Sequence, residues 1–345
     1  MREVHVVGGG PAGAMAALAA LRTGADVAVR IFEKSSFPRH KVCGEFLSPD
    51  IIKLLRRAGC EQQFLQLRPA VLCEMQLHFG KSASGAAIIR HRLPQPAYGL
   101  SRYELDRLLL QHAASAGAQV VRENWTADAA ADREATVIVS TGRKAIAPAG
   151  NRLFGFKAHF HGGPVNDVVE LYFFENCYIG VSAIEGGTTN ICGLAPEQLL
   201  RSMDFDPGEL LRRCAPLAER VSCLTRTMDW LITGPLVFSQ RLDQPNAQPG
   251  VRYHAGDALG FIDPFTGSGM LNAMLTGELA GVAAAHGASA ESYLRDCRRL
   301  LRRPFLVSSA FRAILSTGHA GLLASVVPGR LLFHATRPAS LAVSL

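Results

Sequence analysis

The sequence predicts an α/β protein: a Rossmann-like parallel-sheet domain with an inserted mixed β-sheet and a helical cap at the C-terminal end. Three observations predict it. A β-branched run, Val4 to Val7, leads into a glycine-rich turn and an alanine-rich helix, Ala14 to Leu21. Residues from about Leu153 to Leu194 alternate in strand fashion, with glycine pairs between the runs. From Tyr293 onwards the apolar residues recur at helical spacing.

At 345 residues the chain exceeds one typical domain and can bury a large core. Its 48% hydrophobic and 19% charged residues exclude a disordered or repetitive chain. The net charge of +7 raises nucleic acid, an anionic membrane or an acidic ligand as partners. Between Glu291 and Leu345 stand eight arginines and two acids, densest at Arg295, Arg298, Arg299, Arg302 and Arg303. No aromatic residues interleave them and no nucleic-acid motif surrounds them, so no nucleic-acid partner is expected. The eight cysteines form no C-x-x-C pair, which argues against a zinc ribbon or a dithiol motif. A strand begins at the first residues, leaving no room for a signal peptide, and no run of about twenty residues is apolar enough to span a bilayer. The expected placement is cytoplasmic, with peripheral membrane contact through the basic segment as an open alternative.

The first element carries the chemistry. Gly8-x-Gly10-x-x-Gly13 follows a strand and opens a helix. Gly8 permits the tight turn, Gly10 lets the backbone approach a pyrophosphate, and Gly13 with Ala17 lets helix and sheet pack closely. The helix N-terminus turns free N–H groups and a positive dipole toward the phosphates. A second strand, Val27 to Phe32, ends at Glu33, whose carboxylate can accept from both ribose hydroxyls of an adenosine. This unit suits a dinucleotide without distinguishing NAD from FAD.

Two later segments distinguish them by resemblance. Gly256-Asp257-Ala258, then Asp263-Pro264-Phe265-Thr266-Gly267-Ser268-Gly269-Met270 and an Ala/Leu-rich helix from Leu271 to Ala285, resembles the second flavin motif of the p-hydroxybenzoate-hydroxylase-like flavoproteins. The resemblance implies FAD, with Asp257 on its ribityl and pyrophosphate portion, Pro264 against the isoalloxazine, and Gly267 and Gly269 at the N1–C2=O edge. A helix N-terminus there suits the negative charge of reduced flavin. Leu100-Ser101-Arg102-Tyr103-Glu104 opens a helix reaching about Ala116. Ser101 is its N-cap with Glu104 completing a capping box, and the resemblance implies that Arg102 contacts FAD. Phe37 to Pro49, with Lys41-Val42-Cys43-Gly44-Glu45, is similar to the loop that brings a cysteine beside the flavin in geranylgeranyl reductases, a branch neighbouring the flavin-dependent halogenases. Val42 and Glu45 depart from that loop's Pro and second Gly. The Asp-Gly pair of related hydroxylases is replaced by Val139-Ser140-Thr141-Gly142, which leaves NAD(P)H or another reductant open as electron donor. The aromatic signatures of prenyl reductases and halogenases are absent.

The expected cofactor residues are therefore Gly8, Gly10, Pro11, Ala12, Gly13, Glu33, Lys34, Cys43, Gly44, Arg102, Gly256, Asp257, Pro264, Gly267, Gly269 and Met270. Cys43 is also the candidate catalytic residue. Its reactivity needs a lowered pKa, toward which Lys41 and His40 point, and an inert buried thiol is the competing reading. No metal is expected: His159 and His161 share a strand face, but no third ligand accompanies them. Glu170 and Glu185 are either acid–base candidates or surface carboxylates.

By the same resemblance the flavin domain is discontinuous, over residues 1–67, 98–146 and 247–290. Residues 68–97 and 147–246 form the substrate domain and 291–345 the helical segment, interrupted at Pro304, Gly318, Pro328 and Pro338. The implied function is an FAD-dependent oxidoreductase acting on an apolar isoprenoid, polyketide or aromatic molecule. It either reduces or dehydrogenates a carbon–carbon bond or captures O₂ for monooxygenation. The alternative is an FAD-binding partner or scaffold without turnover.

Overall fold

The structure, a computed structural model, describes residues 1–82, 85–126, 135–143, 152–163, 166–238, 242, 251–262, 267–316 and 337. Among these, the first part of the chain runs β1 (Arg2–Val7), α1 (Pro11–Arg22), β2 (Val27–Phe32), β3 (Phe46–Leu47), α2 (Ile51–Ala58), α3 (Glu61–Gln66), β4 (Ala70–Ser82), β5 (Gly85–Gly99), α4 (Arg102–Ser115), β6 (Gln119–Val121) and β7 (Thr136–Val139). The middle follows with β8 (Leu153–His161), β9 (Val168–Phe174), β10 (Cys177–Ala183), β11 (Thr189–Pro196), α5 (Glu197–Arg201), α6 (Pro207–Arg212) and α7 (Ala215–Val221). The last part is β12 (Thr225–Arg226), β13 (Leu231–Leu236), β14 (Val251–His254), α8 (Gly269–His286) and α9 (Ala290–Ser316).

Five strands form one parallel sheet in the order β14-β7-β1-β2-β6. The strand order reverses about β1, so the crevice for a ligand lies at the carboxyl ends of these strands. Pro11 sits at the first helical position of α1, where its missing N–H costs nothing. The helix is buried from Pro11 to Ala20 because α8 lies along it. Small residues make that approach possible: a Cβ at Gly277 would lie 2.1 Å from the Ala12 carbonyl oxygen, and one at Gly281 equally close to that of Ala16. Met15 and Leu18 fill the same core, each contributing about 1.5–3 kcal/mol by burial.

The second sheet is mixed, in the order β12-β8-β11-β10-β9-β4-β5-β3, with β13 also paired to β8. β4 and β9 run parallel and the other pairs antiparallel. Side chains alternate across it with period two. Phe156, Tyr172, Ile179 and Ile191 pack beneath Leu200, Leu210, Leu211 and Leu217 of α5 to α7. Leu171, Tyr178 and Leu194 point to the opposite face. β3 lies within the first segment expected to hold the flavin, yet it pairs with β5 of this sheet.

Two local expectations need correction. Ser101 caps α4 by accepting from the Glu104 N–H, but Glu104 does not return the bond. Its carboxylate takes Arg107, and the Ser101 N–H donates instead to Glu185, 2.8 Å away. A distant carboxylate thus replaces the local one. The helix break expected at Pro304 is absent: α9 continues through it to Ser316. An interior proline costs about 3 kcal/mol, which burial of Leu300, Leu301, Pro304 and Phe305 against the core offsets. The arginines of α9 named above lie on its exposed face. Gly318, Pro328 and Pro338 lie outside the described residues. Among the described residues, no helix is long and apolar enough to cross a membrane.

Candidate active site

A cavity of about 570 Å³ lies between the two sheets. The carboxyl ends of four parallel strands open onto it: Gly8 after β1, Glu33 after β2, Ser140 after β7 and Gly256 after β14. The turn after β1 excludes side chains at two of its glycines. Gly8 has φ +103°, and a Cβ there would lie 2.6 Å from the Ser140 carbonyl oxygen. A Cβ at Gly13 would lie 1.8 Å from the Gly8 carbonyl oxygen. At Gly10, by contrast, the nearest atom is Arg102 Nη2 at 3.8 Å, so the backbone faces open space there. Ser140 Oγ locks the turn by donating to the carbonyls of Val7 and Gly8, each at 2.9 Å. Ser140 was not among the expected site residues. Its signal was the polar residue ending the Val137–Val139 run.

Glu33 is buried. It accepts the Gly9 N–H on one oxygen and the Ser35 N–H on the other, both at 2.8 Å, with Arg39 at 3.6 Å. It therefore ties the glycine turn to β2, and each oxygen keeps a lone pair for a ribose hydroxyl. Lys34 stands exposed at the rim. Pro11 and Ala12 line the floor.

Arg102 reaches back over the glycine turn. Its guanidinium makes a two-pronged pair with Asp106 at 2.6 and 2.7 Å. Burial works against its charge, and the Asp106 carboxylate outweighs that, holding it protonated above the ordinary arginine range. Asp257 projects into the same space. Burial raises its carboxyl pKa, while Arg102, Arg143 and Lys41 act in the opposite sense. Gly267 and Met270 line the far end, where α8 begins. A Cβ at Gly269 would meet nothing within 4 Å, so this helix N-terminus also opens on the cavity. Pro264 lies outside the described residues. Two helix N-termini, two open glycine backbones and a flanking arginine fit a pyrophosphate and the electron-rich edge of a flavin.

Cys43 and Gly44 line the cavity wall. The Glu45 N–H donates to Cys43 Sγ at 3.4 Å. The lowered pKa that reactivity requires is not found: burial raises the Cys43 thiol, more than Arg102 lowers it. The thiol is protonated at neutral pH, which weighs against Cys43 as a nucleophile. Lys41 is itself pushed down, by burial first and then by Arg39 and Arg102.

Sequence reasoning missed a buried group behind this wall. Glu45, there only a departure from a family loop, is fully buried and accepts the Arg102 N–H at 2.7 Å. The Lys157 ammonium donates to the same carboxylate, and His159 Nε2 lies 2.7 Å from its other oxygen. His161, the expected partner of His159, is exposed, and no metal-binding cluster occurs among the described residues. Glu170 is not a surface carboxylate: it is buried, bonded to Arg220 at 2.7 Å and Tyr172 at 2.6 Å. Glu185 is half-buried, and its carboxylate accepts the Ser101 N–H at the start of α4.

The remaining wall is apolar and comes from the second sheet: Met75, Val169, Leu171, Tyr178, Leu194 and Leu236. Cys192, which also borders the cavity, is held as a neutral thiol, since burial pushes it up to about 12.

Residues 1–144 match the family model described as FAD binding domain. The chain is 33% identical over 141 residues to a menaquinone reductase of Mycolicibacterium smegmatis, covering 39% of this chain and 32% of that protein. It is also 33% identical over 120 residues to a flavin-dependent halogenase of Armillaria mellea, covering 34% of this chain and 23% of that one. The matches thus span a third or less of these relatives. Among solved structures, a triple mutant of the flavin-dependent brominase Bmp2 superposes with a TM-score of 0.79 at 17% identity, over 97% of this chain and 94% of the other. The flavin-dependent halogenase CmlS gives 0.75 at 21% identity, over 99% and 68%. At such identities these likenesses establish the fold. Residues 1–144 therefore match an FAD binding domain, the cofactor is FAD, and the chain has the fold seen in flavin-dependent halogenases.

Proposed function

We propose that the chain is an FAD-dependent oxidoreductase acting on an apolar small molecule. The observation that carries this reading is the single cavity with two unlike walls. One is made of backbone and charge at four strand ends; the other is made of apolar side chains from β4, β9, β10, β11 and β13. In this reading the parallel sheet with α1, α4 and α8 holds FAD through Gly8, Gly10, Gly13, Glu33, Arg102, Asp257, Gly267 and Gly269. Bound FAD supplies the redox chemistry. The second sheet orients the substrate by shape and keeps water away, which strengthens every charge interaction inside. With no acidic or basic side chain on the apolar wall, position relative to the flavin decides which substrate atom reacts.

Two reactions suit such a site: reduction or dehydrogenation of a carbon–carbon bond, and capture of O₂ for oxygenation or halogenation. Stopped-flow absorbance of the chemically reduced protein mixed with oxygenated buffer separates them. A long-lived oxygenated flavin species supports the oxygen-using branch. Direct return to oxidised flavin supports the reductase or dehydrogenase branch. FAD that binds fully but is reduced by no donor, reduced nicotinamides and dithionite included, replaces this reading with that of a non-catalytic flavin-binding protein.

A further inference from the structure

Glu45 is held in the left-handed backbone region at φ 54°, with no exposed surface. A non-glycine residue in that region carries strain, which persists only where surrounding contacts over-determine it. Glu45 has three: the Arg102 N–H at the start of α4, Lys157 and His159 on β8. Lys157 is also fully buried, and His159 is 7% exposed. Burial alone would raise the Glu45 carboxyl, but the His159 hydrogen bond and the Lys157 charge outweigh it and hold the group ionised. One buried carboxylate needs one buried cation for neutrality, and Lys157 supplies it. His159 is a second base on the same carboxylate, beyond the one cation that neutrality requires.

His159 also lies near the surface. The ring of His40, an exposed residue, lies 5.1 Å from that of His159, edge to face, and 4.8 Å from that of Tyr103. The two imidazoles sense each other: burial first, then Lys157 and His159, lower the His40 pKa, with Glu45 opposing. Glu45 borders the cavity together with Cys43 and Gly44, and the charges of Glu45 and Lys157 reach the Cys43 thiol.

We propose that His159 is a proton acceptor coupled to the charge of the bound flavin. When FAD in this cavity gains two electrons and one proton, it becomes an anion. A second proton then passes from solvent to the His159 ring, which adds one positive charge to the Glu45–Lys157–His159 cluster. The electrons come from a two-electron reductant, dithionite in the test below, and no covalent bond is made or broken in the protein beyond that N–H. His159 acts at a distance, as a tuning residue. The groups facing it are Glu45 and His40 from the loop before β3, and Lys157 on its own strand. The cross-strand residue on β11 is the uncharged Asn190, and Thr227 bonds its carbonyl. Nearby Arg226 lies over Trp230, and the Arg102 side chain is engaged by Asp106.

The inference rests on FAD occupying the cavity, and the experiment separates the two. The reduction potential of bound flavin is measured with redox dyes under nitrogen from about pH 5 to 8 in the wild-type protein and in His159→Gln. Imidazole nitrogen NMR spectra of the wild-type holoprotein are recorded before and after dithionite reduction. The expected result is a wild-type potential that falls more steeply with pH than in His159→Gln, by one proton per two electrons over part of the range. The His159 ring is expected to gain a proton on reduction. Equal slopes with FAD stoichiometric in both proteins, or His159 ring signals unchanged by reduction, would overturn the inference and leave a structural ion pair. The NMR comparison needs no variant, so it decides even if His159→Gln does not fold. A wild-type protein that takes up no FAD would overturn the cofactor reading itself.

Discussion

The two ends of the cavity are built on different principles. The nucleotide end consists of backbone and a few charged side chains: turns after parallel strands, two helix N-termini, glycines whose missing side chains set the clearances, and Glu33, Arg102 and Asp257. The apolar end consists of side chains drawn from five strands between Met75 and Leu236. At the first end a single methyl group collides with a carbonyl, as at Gly13. At the second end, volume matters more than the placement of any one atom, and hydrophobic exchanges of similar size are tolerated. A cofactor that never changes calls for the first kind of surface. A site that adapts to a particular substrate can use the second.

The largest break in this contrast is expected at Gly10. Its Cβ position is open, so Gly10→Leu should fold, but the side chain fills the space a pyrophosphate needs. The purified variant should lose its flavin absorbance on gel filtration; full retention would displace the cofactor from this turn.

Next comes the buried cluster joining the two ends. Glu45→Gln leaves Lys157 charged and unpaired, and should cost about 3–5 kcal/mol in urea unfolding. Glu45→Gln combined with Lys157→Met removes both charges and should recover most of that loss. The pH dependence has a definite sign. The folded-state pKa of Glu45 is depressed below its ordinary 4.5, so its stabilisation is complete above that pH and is lost as pH falls through the depressed value. Unfolding midpoints of the wild type should therefore fall more between about pH 5 and 3 than those of the double variant.

At the apolar end, Leu194→Ala should cost about 2–3 kcal/mol, toward the low side for a core leucine because the side chain borders the cavity. FAD should stay bound, and thermal melts of the flavin-loaded protein test both points. Loss of flavin here would erase the distinction between the ends. The smallest effect is expected at Cys43. Its protonated thiol should react with iodoacetamide at neutral pH no faster than a free cysteine, followed by mass spectrometry. Rapid alkylation would restore it as a nucleophile.

The same contrast separates what could be read from the sequence. Gly8, Gly10, Gly13 and Glu33 were legible because strand, turn, helix and second strand follow one another within a single unit. The strands at Val27 to Phe32 and Thr189 to Leu194 were legible because side-chain period reports directly on a half-buried sheet. Pro304 misled, since local propensity favoured a break and tertiary burial decided against it. Glu104 misled because a cap sees only its neighbours, whereas Glu185 reaches the same N–H from another element.

The sequence by itself determined a dinucleotide turn, a flavin motif by resemblance, and an alternating middle. These depend on residues within one or two turns or strands of each other. Only the tertiary structure decided that Glu45, Lys157 and His159 share one buried site, that Cys43 is held as a neutral thiol, and that the two sheets enclose a single cavity. Each of those depends on burial and on contacts between residues far apart in the chain, over a hundred positions for Glu45 with Lys157 and His159, and the desolvation that raises the Cys43 thiol exists only once the chain has folded around it.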